Sequence, residues 1–271
     1  MAEDLEIKPP PSKASIHIAE HVEIGSHWLE WFNSLKRIFN NLVTNLVASR
    51  LVQTDANKNL ASVTDFTNWV ASTDGHLTVT DDGDGSITVD LEDVWEDMRV
   101  DLSTQRTPAA NAPNWAQIND DGAAGVGIFA YHFDDGEYIF LSTQFSHKYK
   151  QGSTIYPHIH FICKSDVDPS DNFGMELEYQ WLNIGDDQPA NTTTISEDIA
   201  TGVNTLEKHQ IGDLTGGVGI DGTGKNISSV FTARLKRVAA GSDNYAAQIA
   251  IISFDIHFEA DTMGSRQATS K

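Results

Sequence analysis

The sequence predicts a mainly β protein: an antiparallel, jelly-roll-like β-sandwich head, preceded by an N-terminal amphipathic helix and a small β neck. Three observations carry this. From Val94 onward, apolar and polar residues alternate in run after run, the period of half-buried strands. Turns rich in Gly, Asp, Asn and Thr separate those runs at hairpin spacing. One stretch only, near residue 30, repeats its apolar residues at steps of three and four, the period of a helix.

Residues 1–48 read as an arm and an anchoring helix. The arm carries Pro9-Pro10-Pro11 and little apolar pattern, so it is extended. Trp28, Trp31, Phe32, Leu35, Ile38, Phe39, Leu42 and Leu46 then define a helix from Ser26 to about Ala48. Two tryptophans and two phenylalanines on one short helix are more apolar surface than water tolerates, so Trp28, Trp31, Phe32, Leu35 and Phe39 are expected to bind a partner or sister copies.

Residues 49–92 read as the neck. Leu51-Val52 and Leu60–Val63 flank an Asp55–Asn59 turn, and Leu77–Thr80 and Ser86–Leu91 flank Asp81–Gly85. That second turn lacks the glycine and the glutamate a calcium loop requires, so it reads as a solvated hairpin.

Residues 93–271 read as the head. Expected strands are Val94–Leu102, Ala124–Phe133, Glu137–Phe145, Tyr156–Cys163, Gly174–Asn183, Ser228–Arg237 and Ala246–Glu259. Residues 184–227 read as surface excursions with one or two short strands, and Gly216–Gly224 as a flexible loop.

Composition narrows the function. The net charge is −21, from 39 acidic and 18 basic residues. Such a field repels phosphates, so a nucleic-acid partner is not expected. The lone cysteine, Cys163, excludes an intramolecular disulfide and reads as a buried, inert thiol. The N-terminus lacks the basic and apolar regions of a signal peptide, and no run of about 18 apolar residues exists; the expectation is a protein made in a cytoplasm with no membrane span.

Chemistry concentrates on three strand faces. His158 and His160 share one, Glu176, Glu178 and Gln180 a second, and Asp255 and His257 a third. Two histidines with a third histidine or a carboxylate form a ligand set for zinc or iron, which makes His158, His160 and His257 the candidate metal residues. A cupin-like metal enzyme is the reading that follows. The acidic residue a cupin offers just beyond the pair is missing, since the next is Asp166. The favoured alternative is a polar seam that hydrogen-bonds to neighbouring strands or to a sister copy, with no cofactor. Exposed Trp and Tyr side chains would suit sugar stacking, whereas Trp69, Trp95 and Trp115 read equally well as core.

Six segments in order carry a family likeness: Val94-Trp95-Glu96-Asp97-Met98-Arg99-Val100, Ala109–Trp115, Tyr156-Pro157-His158-Ile159-His160-Phe161, Leu177–Gly185, Gly222–Ser229 and Phe254–Arg266, which ends in Asp261-Thr262-Met263-Gly264-Ser265-Arg266. Together they resemble tailed-bacteriophage virion structural proteins of the tail-fibre-like or head-decoration-like kind. Trp28–Phe32 and Leu51–Leu60 are similar to the aromatic starts and short β-turn units of phage fibres. The resemblance implies a non-enzymatic virion component. It implies a homotrimeric fibre or spike appendage docked on other virion proteins through residues 1–48, with a host-surface glycan as ligand. The alternative within the family is a capsid decoration, cement or head-fibre protein. It brings no catalytic residue, and it places the His158/His160/His257 face at the subunit contact.

Overall fold

The computed structural model describes residues 17–18, 22–23, 26–44, 52–54, 60–62, 76–82, 86–119, 127–165, 167–203, 205–242 and 244–271. The chain divides into two compact units, Met1–Asp90 and Leu91–Lys271.

The first unit is built of short pieces. β1 (His17–Ile18) pairs antiparallel with β2 (Val22–Glu23), and helix α1 (Ser26–Thr44) follows. β3 (Val52–Thr54) pairs with β4 (Leu60–Ser62), and β5 (Leu77–Asp81) with β6 (Ile87–Leu91). On α1 the aromatic rings cluster: Trp31 lies 5.1 Å from Phe32 and 5.9 Å from Trp28, centroid to centroid. Leu35 is half-buried, whereas Phe39 remains 62% exposed. The Pro9–Pro11 arm, the expected last turn of the helix beyond Thr44, the Asp55–Asn59 turn and Trp69 lie outside the described residues.

The second unit is an eight-stranded jelly roll with two additions. β7 (Val94–Val100) leads into a 3-10 turn at Leu102–Thr104, capped by the Asp101 carboxylate, which accepts from Ser103 N at 2.9 Å. Then come β8 (Asn114–Gln117), β9 (Phe129–Phe133), β10 (Tyr138–Gln144), β11 (Ile155–Cys163) and β12 (Asn172–Leu182). β13 (Thr193–Ala200), β14 (His209–Asp213), β15 (Val230–Val238) and β16 (Ile249–Ala260) complete it. One sheet runs β10-β15-β12-β13 and the other β14-β11-β16-β9-β8, with β7 paired on β16. The order β9-β16-β11-β14 against β10-β15-β12-β13 is that of two Greek keys folded into a jelly roll.

The predicted alternation explains the packing. On β11, Ile155, Pro157, Ile159, Phe161 and Cys163 point inward and are buried, while Tyr156, His158, His160 and Ile162 face outward. Met175, Leu177 and Trp181 of β12 oppose them from the other sheet. Phe161 meets Phe173 edge to face at 4.9 Å, and Trp181 stacks on Phe145 at 4.7 Å. Each such buried ring contributes about 3–5 kcal/mol against truncation to alanine.

Strict alternation along β16 would put Ile252 on the inner face with Phe254, Ile256 and Phe258. Instead the β11–β16 register skips between His160 and Phe161, pairing Ser253 with His160 and Ile251 with Phe161, so Ile252 is the extra residue of a bulge and turns outward. Residues 184–227 hold two strands, as expected, the edge strands β13 and β14, but the stretch is not all surface, since its Leu214, Ile220 and Ile227 are core. The glycine-rich segment is pinned, because Ile155 and Ile220 exchange both backbone hydrogen bonds, at 3.0 and 2.8 Å.

Candidate functional site

The outer face of the β14-β11-β16 sheet gathers the histidines. Pairing sets Asp255 of β16 and Asp213 of β14 on either side of His158, and Ser253 and Ile211 on either side of His160. β7 then brings Arg99 opposite Asp255 and Asp97 opposite His257. His160 is the hub: its Nε2 lies 2.9 Å from Asp255 Oδ2, and its Nδ1 lies 2.6 Å from His209 Nε2. The His209 ring stacks on that of His160 at 4.9 Å. Burial holds the His160 pKa below its ordinary value, against the upward pull of Asp255 and with help from His158 and His209.

Asp255 belongs to the outer face, yet its side chain is only 4% exposed. Its Oδ1 accepts from Ser253 Oγ at 2.5 Å and has Arg99 Nε 3.5 Å away. A carboxylate covered this far survives because each oxygen has a donor.

The three predicted histidines neighbour one another but do not form one ligand group. His158 and His160 lie side by side, ring centroids 5.2 Å apart. His257 is drawn away: its Nδ1 donates to Asp97 Oδ1 at 2.7 Å, and its ring stacks flat on Trp95 at 4.8 Å. The third group is Asp255, whose ligand oxygen lies within 4.8 Å of those of His158 and His160. The register decides this, since Asp255 is the direct partner of His158 while His257 is opposite Tyr156. Trp95 is about half exposed and meets Tyr156 edge-on. The two rings, with Lys150, Gly152, Thr154 and Glu259, line a depression of about 380 Å³.

The outer face of the β10-β15-β12-β13 sheet is of a different kind. Tyr138 and Phe140 of β10 stand edge to face at 5.5 Å, with Phe140 45% exposed. Across the ladder, Phe140 pairs with Arg234 and Arg234 with Glu178. Arg234 Nη2 reaches Glu178 at 2.8 Å and Glu176 at 3.1 Å, and the guanidinium lies 5.4 Å from the Tyr138 ring centre. Thr192 Oγ1 donates to the other Glu178 oxygen at 2.6 Å. Phe140, Glu178, Gln180, Thr192, Thr232 and Arg234 line a depression of about 430 Å³. The sequence singled out Glu176, Glu178 and Gln180 as one polar face, which holds. It missed Tyr138, Phe140 and Arg234, which only pairing brings beside them, and His209, which sits in the irregular stretch. Trp115, also weighed as core, is about half exposed.

No protein-family model and no curated protein sequence matches the chain. Among solved structures, it is similar to a GH115 4-O-methyl-alpha-glucuronidase, BtGH115A, with specificity for decorated arabinogalactans (15% identity, TM-score 0.30, 57% of this chain and 17% of that one). It is similar to TmCBM61 in complex with beta-1,4-galactotriose (10% identity, TM-score 0.27, 62% of this chain and 88% of that one). A third likeness is to the ANX2 ectodomain from Arabidopsis thaliana (12% identity, TM-score 0.29, 60% and 42%). The chain thus spans 17% of the first of these proteins and 42% of the third. Likeness at this level leaves the function to the residues themselves.

Proposed function

We propose that the chain is a tailed-phage virion component whose jelly-roll unit binds glycan on the outer face of the β10-β15-β12-β13 sheet. The observation that carries the glycan reading is Phe140, a ring left open to solvent mid-strand beside Arg234, Glu178 and Gln180. An open ring offers stacking to the C–H face of a sugar, and planar charged and amide groups match pairs of hydroxyls. All of them stand on strands, whose backbone fixes their spacing. The interior between the sheets is packed with aromatic and aliphatic side chains, and both His158 and His160 point away from it. That arrangement favours a binding or structural module over a cupin-like enzyme, which needs an enclosed pocket.

The virion setting rests on the six-segment resemblance. Within it, Trp28, Trp31, Phe32, Leu35 and Phe39 of α1 dock the protein, and three copies associate. Mass measurement at micromolar concentration tests the trimer, and a monomer refutes it. Counting copies per particle separates a tail appendage from a capsid decoration.

The glycan reading is tested with the full chain on an array of host-surface polysaccharides. Phe140→Ala is expected to weaken binding about tenfold, the loss of one stacking contact of ~1.4 kcal/mol. A wild-type chain that binds no glycan, or a Phe140→Ala chain that binds equally well, overturns it.

A further inference from the structure

We infer that His158, His160 and Asp255 form a binding site for one divalent transition-metal ion, with His209 as the positioning partner of His160. The site lies on the opposite sheet from the glycan face and stands independently of that reading. Two imidazoles and a carboxylate are a donor set of zinc and related metals, with further positions left for water. The ligand atoms already lie within 4.8 Å of one another, so closing around an ion needs side-chain adjustment alone.

The surroundings do what ligands need. His158 Nδ1 lies 3.3 Å from the Tyr156 carbonyl and donates to it, which leaves Nε2 as the ligating atom. His160 in its neutral form carries one N–H. Before an ion binds, that proton sits on Nε2 and is donated to Asp255 Oδ2; a bound ion takes its place there, and the proton moves to Nδ1, which then donates to His209. Asp255 keeps Ser253 on its other oxygen, so the carboxylate stays oriented when an ion displaces the His160 N–H from Oδ2. The competing demand for a cation is weak, since Arg99 stands 3.5 Å off and its own side chain is largely in solvent. Asp213, also opposite His158, is occupied by Thr215 and Gly217 and supplies only charge.

His257 is excluded by the same geometry. Its Nδ1 is taken by Asp97 and its ring by Trp95.

The test uses the full chain, stripped with chelator and titrated with ZnCl2 by calorimetry, with CoCl2 as a spectroscopic probe. One equivalent of Zn2+ per chain is expected, along with a visible Co2+ absorption band and an unfolding midpoint that rises with Zn2+. His158→Ala plus His160→Ala loses the equivalent. His209→Ala keeps the stoichiometry and weakens affinity roughly 10- to 100-fold. His257→Ala binds as the wild type does. No binding by the wild type, undiminished binding by the double variant, or loss of the equivalent in His257→Ala each overturns the assignment. Should the double variant fail to fold, Asp255→Asn decides: retention of wild-type affinity refutes the site, and loss with an unchanged circular dichroism spectrum supports it.

Discussion

Arg237 is the most consequential polar group in the core, and replacing it with alanine is the sharpest test of how the two sheets are joined. The side chain is 1% exposed. Its Nη1 donates to the Phe133 carbonyl at 2.7 Å and the Ala247 carbonyl at 2.6 Å, and its Nη2 to the Tyr245 carbonyl at 2.5 Å. Asp135 lies 3.0 Å from Nε. Burial pushes the guanidinium pKa down while Asp135 and Asp134 push it up, and the group remains a cation. It therefore ties β15 of one sheet to the end of β9 and to the strand entering β16 of the other. Truncation strands three buried carbonyls and opens a void, a combined loss of about 3–5 kcal/mol. Asp135→Ala costs less, ~1–2 kcal/mol, because that carboxylate is over a third exposed and solvent replaces part of its role. Hydrogen exchange of the β9 and β15 amides reads the jelly roll without reference to the Met1–Asp90 unit. For Arg237→Ala, protection of the slowest amides should fall roughly 10²- to 4 × 10³-fold at about 1.4 kcal/mol per decade. A fall of less than tenfold would mean that the carbonyls find other donors, and the strut interpretation would be wrong.

Other outcomes follow from single contacts. Gly222→Ala should destabilise the jelly roll by at least ~2 kcal/mol in denaturant titration, since its Cβ would sit 1.9 Å from the Ser153 carbonyl oxygen and 2.3 Å from Tyr149 Oη; a wild-type midpoint refutes this. Cys163 is fully buried, and burial pushes its thiol up to about 11, so Ellman's reagent should label it only after unfolding; rapid labelling of the native chain contradicts this. Burial and Lys164 hold the His132 pKa below its ordinary value of 6.5, so below that pH the unfolded chain binds the extra proton. Stability contributed by neutral His132 is therefore present above pH 6.5 and lost as pH falls. His132→Phe should flatten the decline between pH 7 and 5, and an unchanged slope refutes the assignment.

How much of this was legible beforehand depends on the kind of residue. β11 and β12 and the later part of β16 announce themselves because every second residue is a large apolar one that the core requires. β8, β13 and β14 do not, because each has solvent on one flank and carries Thr, Gln, Glu and His where a central strand carries Ile or Phe. The bulge at Ile252 leaves no mark, since Ile251-Ile252 reads as two core residues whichever one is extra. Arg237 was hidden for a related reason: alternation from Phe231 through Ala233 and Leu235 places it inward, and a charged residue there reads as a strand end. The metal candidates show the same limit. His158 and His160 are two apart on one strand, so sequence alone brings them together. Choosing Asp255 over His257 takes the cross-strand register, a long-range fact.

That register also explains why the chemistry sits on outer faces. Side chains alternate with period two, so a one-residue slip of β16 against β11 would carry Asp255 into the core and Phe254 out to solvent. The bulge at Ile252 is what reconciles two demands: Ile251 and Phe254, three residues apart, both point inward, while Ser253 and Asp255 stay beside His160 and His158. The core thus enforces the geometry of the histidine face without contributing an atom to it. On the other sheet Phe231, Ala233 and Leu235 do the same for Thr232 and Arg234. Each outward face is therefore free to change its residues while the inward positions hold the spacing, which is how a packed jelly roll carries two unrelated surfaces.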